Sequence, residues 1–592
     1  MHFTIHRSAL LSLILGLILI HCLIGGSRPV FSLPTFALIG IAGLLAFRSP
    51  ILPEKKSPTA CTIAASLLFS YLFVRGLFSP VPYLARADLF LLLSCLLVYF
   101  LAAGPLSSTT SRVSVIKILL CLGVIHAGVS AIQAAFGEDF MLFGIGRAPN
   151  DSRASGLFVS PNHLAGFLEI ALAFGISFTL SSTEKPAMKV AFGYASLCCA
   201  IALLLSQSRG GFACAVFSLL IWCLLNVCTS YLKNPRQLKR AVLFSSIALA
   251  SICAIGLYLI TEHHELRDRL ATSLSHDIRL ANWQTALTQF STSPIFGTGS
   301  GTHLYLGRLY RQPELQLDPV HAHSDYLELL AEYGVIGGLC FLAFLFTHAK
   351  NSLQSLRHLA LTAPNPDHPQ GNNLALLLGS LTAFAAIAAH SLVDFNLHIP
   401  ANALAVAFFF GILAQPQPPN LTPQTTSTQN TKSRLLLLPF LSLALLLGSL
   451  LAYPGEFFSE QSRIRLREFD YPTSILYAHQ SIRLDPWNPF TFTYLGEAYR
   501  VQAEEEESYD DRQSARQQAN LAYQSGLRLF PQDTTLLLRR AQVLDRLRLF
   551  DQAEASFQLA IAADPRLSSI RQAHSAHQLL QSASQAQSNP PK

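Results

Sequence analysis

About thirteen apolar runs, each close to the length that crosses a bilayer, follow one another through the first 453 residues, from about 8–25 to about 435–453. A span needs roughly 20 mostly apolar residues. A backbone in lipid has no water to satisfy its N–H and C=O groups, so such runs fold as helices. The expectation is an all-α chain whose larger part is a polytopic bundle of about 12–13 spans. Only 13% of the residues are charged, about half the share in an ordinary soluble domain, which excludes a plain soluble enzyme. The charges that exist are concentrated at the end. Residues 454–592 carry 32 of them in 139 positions, against 45 in the first 453. The chain therefore reads as a membrane domain, 1–453, followed by a soluble domain, 454–592. The first run follows Arg7, lacks a small-residue cleavage site and precedes many more spans, so it reads as a retained helix.

Lys and Arg mark cytoplasmic loops. One alternate set of short loops holds sixteen, among them Arg48, Lys55, Lys56, Lys233, Lys239 and Arg240; the other holds six, Arg28, Arg75, Arg86, Arg147, Arg153 and Arg209. The amino terminus is expected in the cytoplasm. An odd number of spans then puts the long segment 261–332 and the tail outside, which for a Gram-negative inner membrane is the periplasm. The net charge of +7 is mostly this asymmetry and gives little support to nucleic-acid binding. All eleven cysteines lie in apolar runs and read as small buried hydrophobes. No CxxC pair or Cys/His cluster suits a structural zinc.

In the tail, Asp485-Pro486, Phe530-Pro531 and Asp564-Pro565 each close a helical segment, and the last two prolines are 34 residues apart. That is the period of the tetratricopeptide repeat (TPR). The first interval is 45, and an acidic insertion from Ala503 to Gln513, read as a solvated loop, accounts for the difference. Ala541, Leu544, Ala553, Phe557 and Ala560, with Leu495, Gly496 and Tyr499 earlier, supply the small and aromatic residues that let paired helices approach. Two to three TPR-like repeats over 470–570 form an α-solenoid that serves either as a partner-binding groove or as a spacer or cap.

Polar residues at membrane depth are costly and mark function more often than surface ones do. Four clusters stand out. Asn162 and His163 open the sixth run behind Pro161, where a helix start attracts anions or is simply capped. Ser206 to Gly211 breaks two apolar runs, and Arg209 offers a planar fork suited to phosphate, or snorkels to headgroups. The long segment carries Arg279, Asn282-Trp283, a P-x-x-G-x-G-x-G stretch ending at Gly301, and His321-Ala-His323-Ser-Asp325 through Glu332 to Gly338. A neutral His321 or His323 can take a proton from an attacking hydroxyl; as a metal pair the two lack an evident third ligand. Fourth, His390 to His398 includes Asp394 on the same outer face, either touching substrate or bracing the loop.

In this order and sidedness, these pieces over roughly 150–410 resemble the O-antigen ligase and polymerase superfamily of bacterial inner membranes. The resemblance implies a glycosyltransferase that takes a glycan from undecaprenyl pyrophosphate and joins it to an acceptor hydroxyl on lipid A-core, a growing polymer or a protein. By motif, Arg209 and Arg279 would bind the pyrophosphate, and His321 or His323, with Arg279, would serve catalysis. Asn162, His163, Asp325, Glu332 and Asp394 are substrate-contact candidates. No metal or other cofactor is expected, since the arginines can hold the developing charge, and no nucleotide-binding P-loop appears. Polymerase and protein-modifying activities remain alternatives. A transporter with a docking tail ranks below them, because no inverted repeat is evident.

Overall fold

A computed structural model of the chain describes residues 2–47, 59–137, 153–233, parts of 236–250, 278–361, 370–416 and 431–588. Among these residues every regular element is helical. The membrane part comprises α1 (His2–Cys22), α2 (Pro29–Phe47), α3 (Thr59–Leu77), α4 (Pro82–Ala103), α5 (Thr109–Phe136), α6 (Pro161–Ser181), α7 (Pro186–Leu205), α8 (Arg209–Lys233), α9 (Ile278–Thr292), α10 (His303–Tyr310), α11 (Asp325–Leu361), α12 (Gln370–His390), α13 (Pro400–Ala414) and α14 (Thr431–Arg467). The tail continues with α15 (Tyr471–Leu484), α16 (Pro489–Glu505), α17 (Tyr509–Leu529), α18 (Thr534–Arg546), α19 (Phe550–Ala563) and α20 (Ser568–Ser588).

Among the described residues eleven helices are long and apolar enough to cross a membrane, against the twelve or thirteen expected of the whole chain. Two runs make the difference. The run at 241–260 lies largely outside the described residues, and the run at 399–414 forms α13, only 15 residues long and buried throughout. Its neighbours surround it within the bundle. The later part of α10 and the tail touch each other, and α11, α12, α13 and α14 lie between them in the chain.

The opposite face is fixed just as firmly. His6 Nε2 lies 3.1 Å from Ser111 Oγ, Lys117 pairs with Glu184 at 3.2 Å, and Thr109 Oγ1 donates to Asn373 Oδ1 at 2.7 Å. Arg112, which the charge pattern assigns to a loop, is buried instead, donating to Ala102 O and to Gln415 O. The amino-terminal end of α1 therefore shares a face with the starts of α5 and α12 and the end of α13, away from α10 and the tail. Cysteine burial holds only in part: Cys22, Cys121 and Cys228 are exposed, and Cys253 lies outside the described residues.

No break separates membrane part from tail, since α14 runs through the expected boundary after residue 453. The six tail helices pack as successive antiparallel neighbours. A Cβ on Gly496 would strike the Tyr523 ring, while Ala541, Leu544, Ala553 and Phe557 are fully buried together. The acidic insertion is not a loop; only Glu506–Ser508 lie between α16 and α17, and the added length extends the helices. The acids at the turns of this domain reach back to the membrane part. Asp485 takes Arg86 at 2.6 Å, Asp533 takes Arg308 at 3.4 Å, and Asp564 takes Arg311 at 2.6 Å, while Tyr305 stacks on Phe530 with ring centres 4.6 Å apart. The Arg311 and Asp564 side chains are both fully buried.

Removing one partner of a buried ion pair costs about 3–5 kcal/mol, because the other charge is left stranded. Arg311→Ala is therefore expected to loosen the tail and speed its proteolytic release from the purified protein. Arg566→Ala, which removes an exposed side chain reaching only Arg311 O and Gln312, is expected to change release little; equal release rates in the two variants would contradict the clamp.

Candidate active site

Four stretches far apart in sequence meet at the ends of α6, α8, α11 and α12. The turn from His390 to His398 is their common neighbour. Asp325 N donates to Asp394 O at 3.1 Å and Ser324 Oγ to Ser391 O at 3.3 Å, which ties the start of α11 to this turn. From the other side, a Cβ on Gly210 would stand 3.1 Å from Val393 Cγ2 and 3.8 Å from His390 Nε2, so the missing side chain lets the Arg209 turn come close. Ser208 Oγ donates to Asn162 Oδ1 at 2.9 Å, and Asn402 Nδ2 donates to His163 O at 2.9 Å and to Asn396 Oδ1 at 2.8 Å. Trp283 Nε1 donates to His323 O at 3.2 Å. Arg279 sits four residues before it, on the same face of α9. Arg209 is exposed at the first position of α8, and Arg279 is half-buried.

The two histidines of the His321-Ala-His323 stretch go to different neighbours. His323 has φ +53°, a left-handed conformation uncommon for a residue with a Cβ and of the kind that gathers at functional sites. Its Nδ1 faces Asp394 Oδ1 at 3.4 Å; Asp394 Oδ2 lies 3.9 Å from His390 Nε2, and His390 Nδ1 lies 2.8 Å from Glu169 Oε1. Burial alone would raise the Asp394 carboxyl, but His323, His163 and His390 hold it well below the usual carboxylate range. His321 Nδ1 instead lies 2.8 Å from Glu328 Oε1, and Glu328 Oε1 is also 3.4 Å from His398 Nε2. Phe395 touches both groups, stacking on His321 with ring centres 4.2 Å apart and meeting His323 and His163 edge-on. The sequence reading leaves His321 without a third ligand; the fold supplies Glu328 and His398 and separates it from His323.

Two of the substrate-contact candidates have several partners within the scaffold. Glu332 accepts from Gly301 N at 3.1 Å and His303 N at 2.8 Å, so it caps the start of α10. Asp325 accepts from Ser391 Oγ at 2.7 Å, Leu397 N at 3.3 Å and His398 Nδ1 at 3.1 Å. Beside them, burial lowers the His303 imidazole to about 4, and its Nδ1 lies 2.8 Å from Gln289 Oε1. An apolar cavity of about 190 Å³ adjoins this cluster between α3, α4, α11, α12 and α13, with Asp88, Asp325, Glu332 and His398 as the charged part of its wall. Glu169, Glu328 and His303 escaped the sequence reading. Glu169 had a signal, as the lone acid in its apolar run.

What holds α9 and α10 in register is a break in α11. Gly334, at φ +66°, opens the helix, and the glycine-rich stretch enters the gap: Thr298 N donates to Ala331 O at 3.0 Å, Gly299 N to Glu332 O at 2.8 Å and Val335 N to Pro294 O at 2.8 Å. A Cβ on Gly334 would collide with Ile295 O.

Residues 194–342 match the O-antigen ligase family, Wzy_C. No curated protein matches the chain significantly. The matched stretch contains Arg209, Arg279, His321, His323 and Glu328. With eleven apolar helices among the described residues, the chain is a multi-pass membrane protein in which residues 194–342 match the O-antigen ligase family, and that match supports a membrane glycan-transferring ligase activity.

Gly334→Ala is expected to destabilise the protein by about 2 kcal/mol or more, combining a left-handed alanine with a backbone clash. Gly338→Ala should be mild, because its Cβ meets only the tip of the Leu330 side chain. Thermal unfolding in detergent checks the contrast; matching curves for the two variants would contradict this reading of the break.

Proposed function

We propose that the protein transfers a glycan from undecaprenyl pyrophosphate to an acceptor hydroxyl at the outer face of a bacterial inner membrane. The observation that carries this reading is the facing of His323 Nδ1 by Asp394, at a point where the turns bearing Arg209 and Arg279 also meet. Asp394 favours the tautomer with the proton on Nδ1, which leaves Nε2 to accept. The acceptor oxygen attacks the anomeric carbon of the donor sugar and its proton passes to His323 Nε2. The bond from that carbon to the pyrophosphate oxygen breaks, and the electron pair leaves on undecaprenyl pyrophosphate. Arg209 and Arg279 hold the charge that grows there. His321, turned to Glu328, is the weaker candidate for the base. Asn162 and His163 line the approach, and the apolar cavity beside Asp325 suits part of a polyprenyl chain.

The sidedness is that of a cytoplasmic amino terminus with α9, α10 and a TPR-like tail in the periplasm. Positive charge in the short loops supports it, as do the contacts that put α10 and the tail together. In this reading the tail's free surface receives a protein partner or presents the acceptor. Ligase and polymerase share all of these features and differ in product, a glycan on a new carrier or a longer lipid-linked chain.

The test is transfer from purified undecaprenyl-pyrophosphate oligosaccharide in detergent. His323→Ala is expected to lower the rate about 10²–10⁴-fold, and Arg209→Ala or Arg279→Ala about 10²–10³-fold, with insertion unchanged. Full activity in His323→Ala would overturn the assignment of the base.

A further inference from the structure

The group around Glu328 has a composition that the transfer reaction does not require. His321 and Glu328, at the start of α11, and His398, in the turn before α13, each offer one ligand atom, and these atoms all lie within 4.8 Å of one another. Ligand atoms on a tetrahedral zinc-like ion, each about 2.0–2.2 Å from it, stand about 3.3 Å apart. The observed separations from Glu328 Oε1, 2.8 Å to His321 and 3.4 Å to His398, are close to that.

The neighbours of these ligands are those that a metal site uses. A ligating histidine usually gives its second ring N–H to a carboxylate, which fixes the tautomer and aims the other nitrogen at the ion. His398 does this: Nδ1 faces Asp325 Oδ1 at 3.1 Å, leaving Nε2 toward Glu328. The second oxygen of Glu328 accepts from Ala322 N at 2.8 Å, so the ligating carboxylate is oriented as well. Charge favours the same occupant. Asp88, Asp325, Glu328 and Glu332 gather around His321, His398 and His303, and buried carboxylates in such number need cations. The Glu328 side chain is 3% exposed, whereas those of His321 and His398 are each 24% exposed, which leaves a way in and an open fourth position.

We propose that His321, Glu328 and His398 bind one divalent cation of the zinc class, with Asp325 as the positioning residue behind His398. Two imidazoles and one carboxylate suit a borderline ion better than magnesium or calcium, which prefer all-oxygen sets. The ion ties the start of α11 to the turn between α12 and α13, on the His321 side of Phe395. His323 and Asp394 are left as they are. This proposal stands apart from the transfer reaction and is tested without it.

The full-length protein, purified in detergent with its affinity tag removed, is stripped with a chelator and equilibrated with Zn²⁺ alone; bound metal is counted by mass spectrometry. About one equivalent is expected. Co²⁺ in its place is expected to give visible d–d bands of low-coordinate cobalt. His398→Ala and Glu328→Gln should abolish both signals, and His321→Ala should abolish the cobalt bands. Asp325→Asn, which leaves all three ligands, should weaken Zn²⁺ binding about 10- to 100-fold. His323→Ala should bind as the native chain does, and thermal unfolding of each stripped variant separates lost ligands from lost fold. A native chain that retains no zinc, or a folded His398→Ala that binds as well as the native chain, would overturn the proposal.

Discussion

Carboxylates buried at the edge of a bilayer need a cation or a set of N–H donors within reach, and that requirement organises this protein. Asp394 has His323 and His390; Glu169 has His390; Asp325 has His398 and a backbone N–H; Glu328 has His321 and His398. Apart from His390 with Asp394 and His321 with Glu328, these pairs join residues far apart in the sequence. Satisfying them therefore forces α6, α11 and α12 to converge on one short turn. The arginine-bearing turns at α8 and α9 are drawn in by contacts with the same residues. The chemistry and the fold share the same electrostatic cost.

Much of this was legible beforehand, and the reasons differ by element. Long apolar runs announce themselves because lipid leaves a backbone no alternative to the helix, and nearly all those expected are helices here. The polar clusters were visible for the same reason in reverse. Pairing was not visible: Glu169 and His390 are 221 residues apart, and nothing in either run says that the other is its partner. Asp325 and Glu332 stood out in the sequence as acids near the two histidines, but their partners did not: Glu332 accepts from Gly301 N and His303 N once the glycine-rich stretch has entered the opened helix at Gly334, and Asp325 accepts from Ser391, Leu397 N and His398. The acidic insertion read as a loop because of its charge, yet a solvated helix face accommodates the same residues.

The tail is more than an appendage in this arrangement. Its inter-helix acids are the counter-ions of Arg86, Arg308 and Arg311, so the edge that a free solenoid would show to solvent is turned onto the membrane part. α10 lies between the two, held at one end by Glu332 and at the other by the tail.

The shortness of α13 carries a last consequence. Fifteen residues rise about 22 Å, while the hydrocarbon layer is about 30 Å thick. The turn that begins this helix holds Asp394 and His398, so under the proposed function the polar floor would lie several ångströms below the headgroup level of a bilayer, and an acceptor would have to reach down to it while a membrane-bound donor would meet it at its own depth.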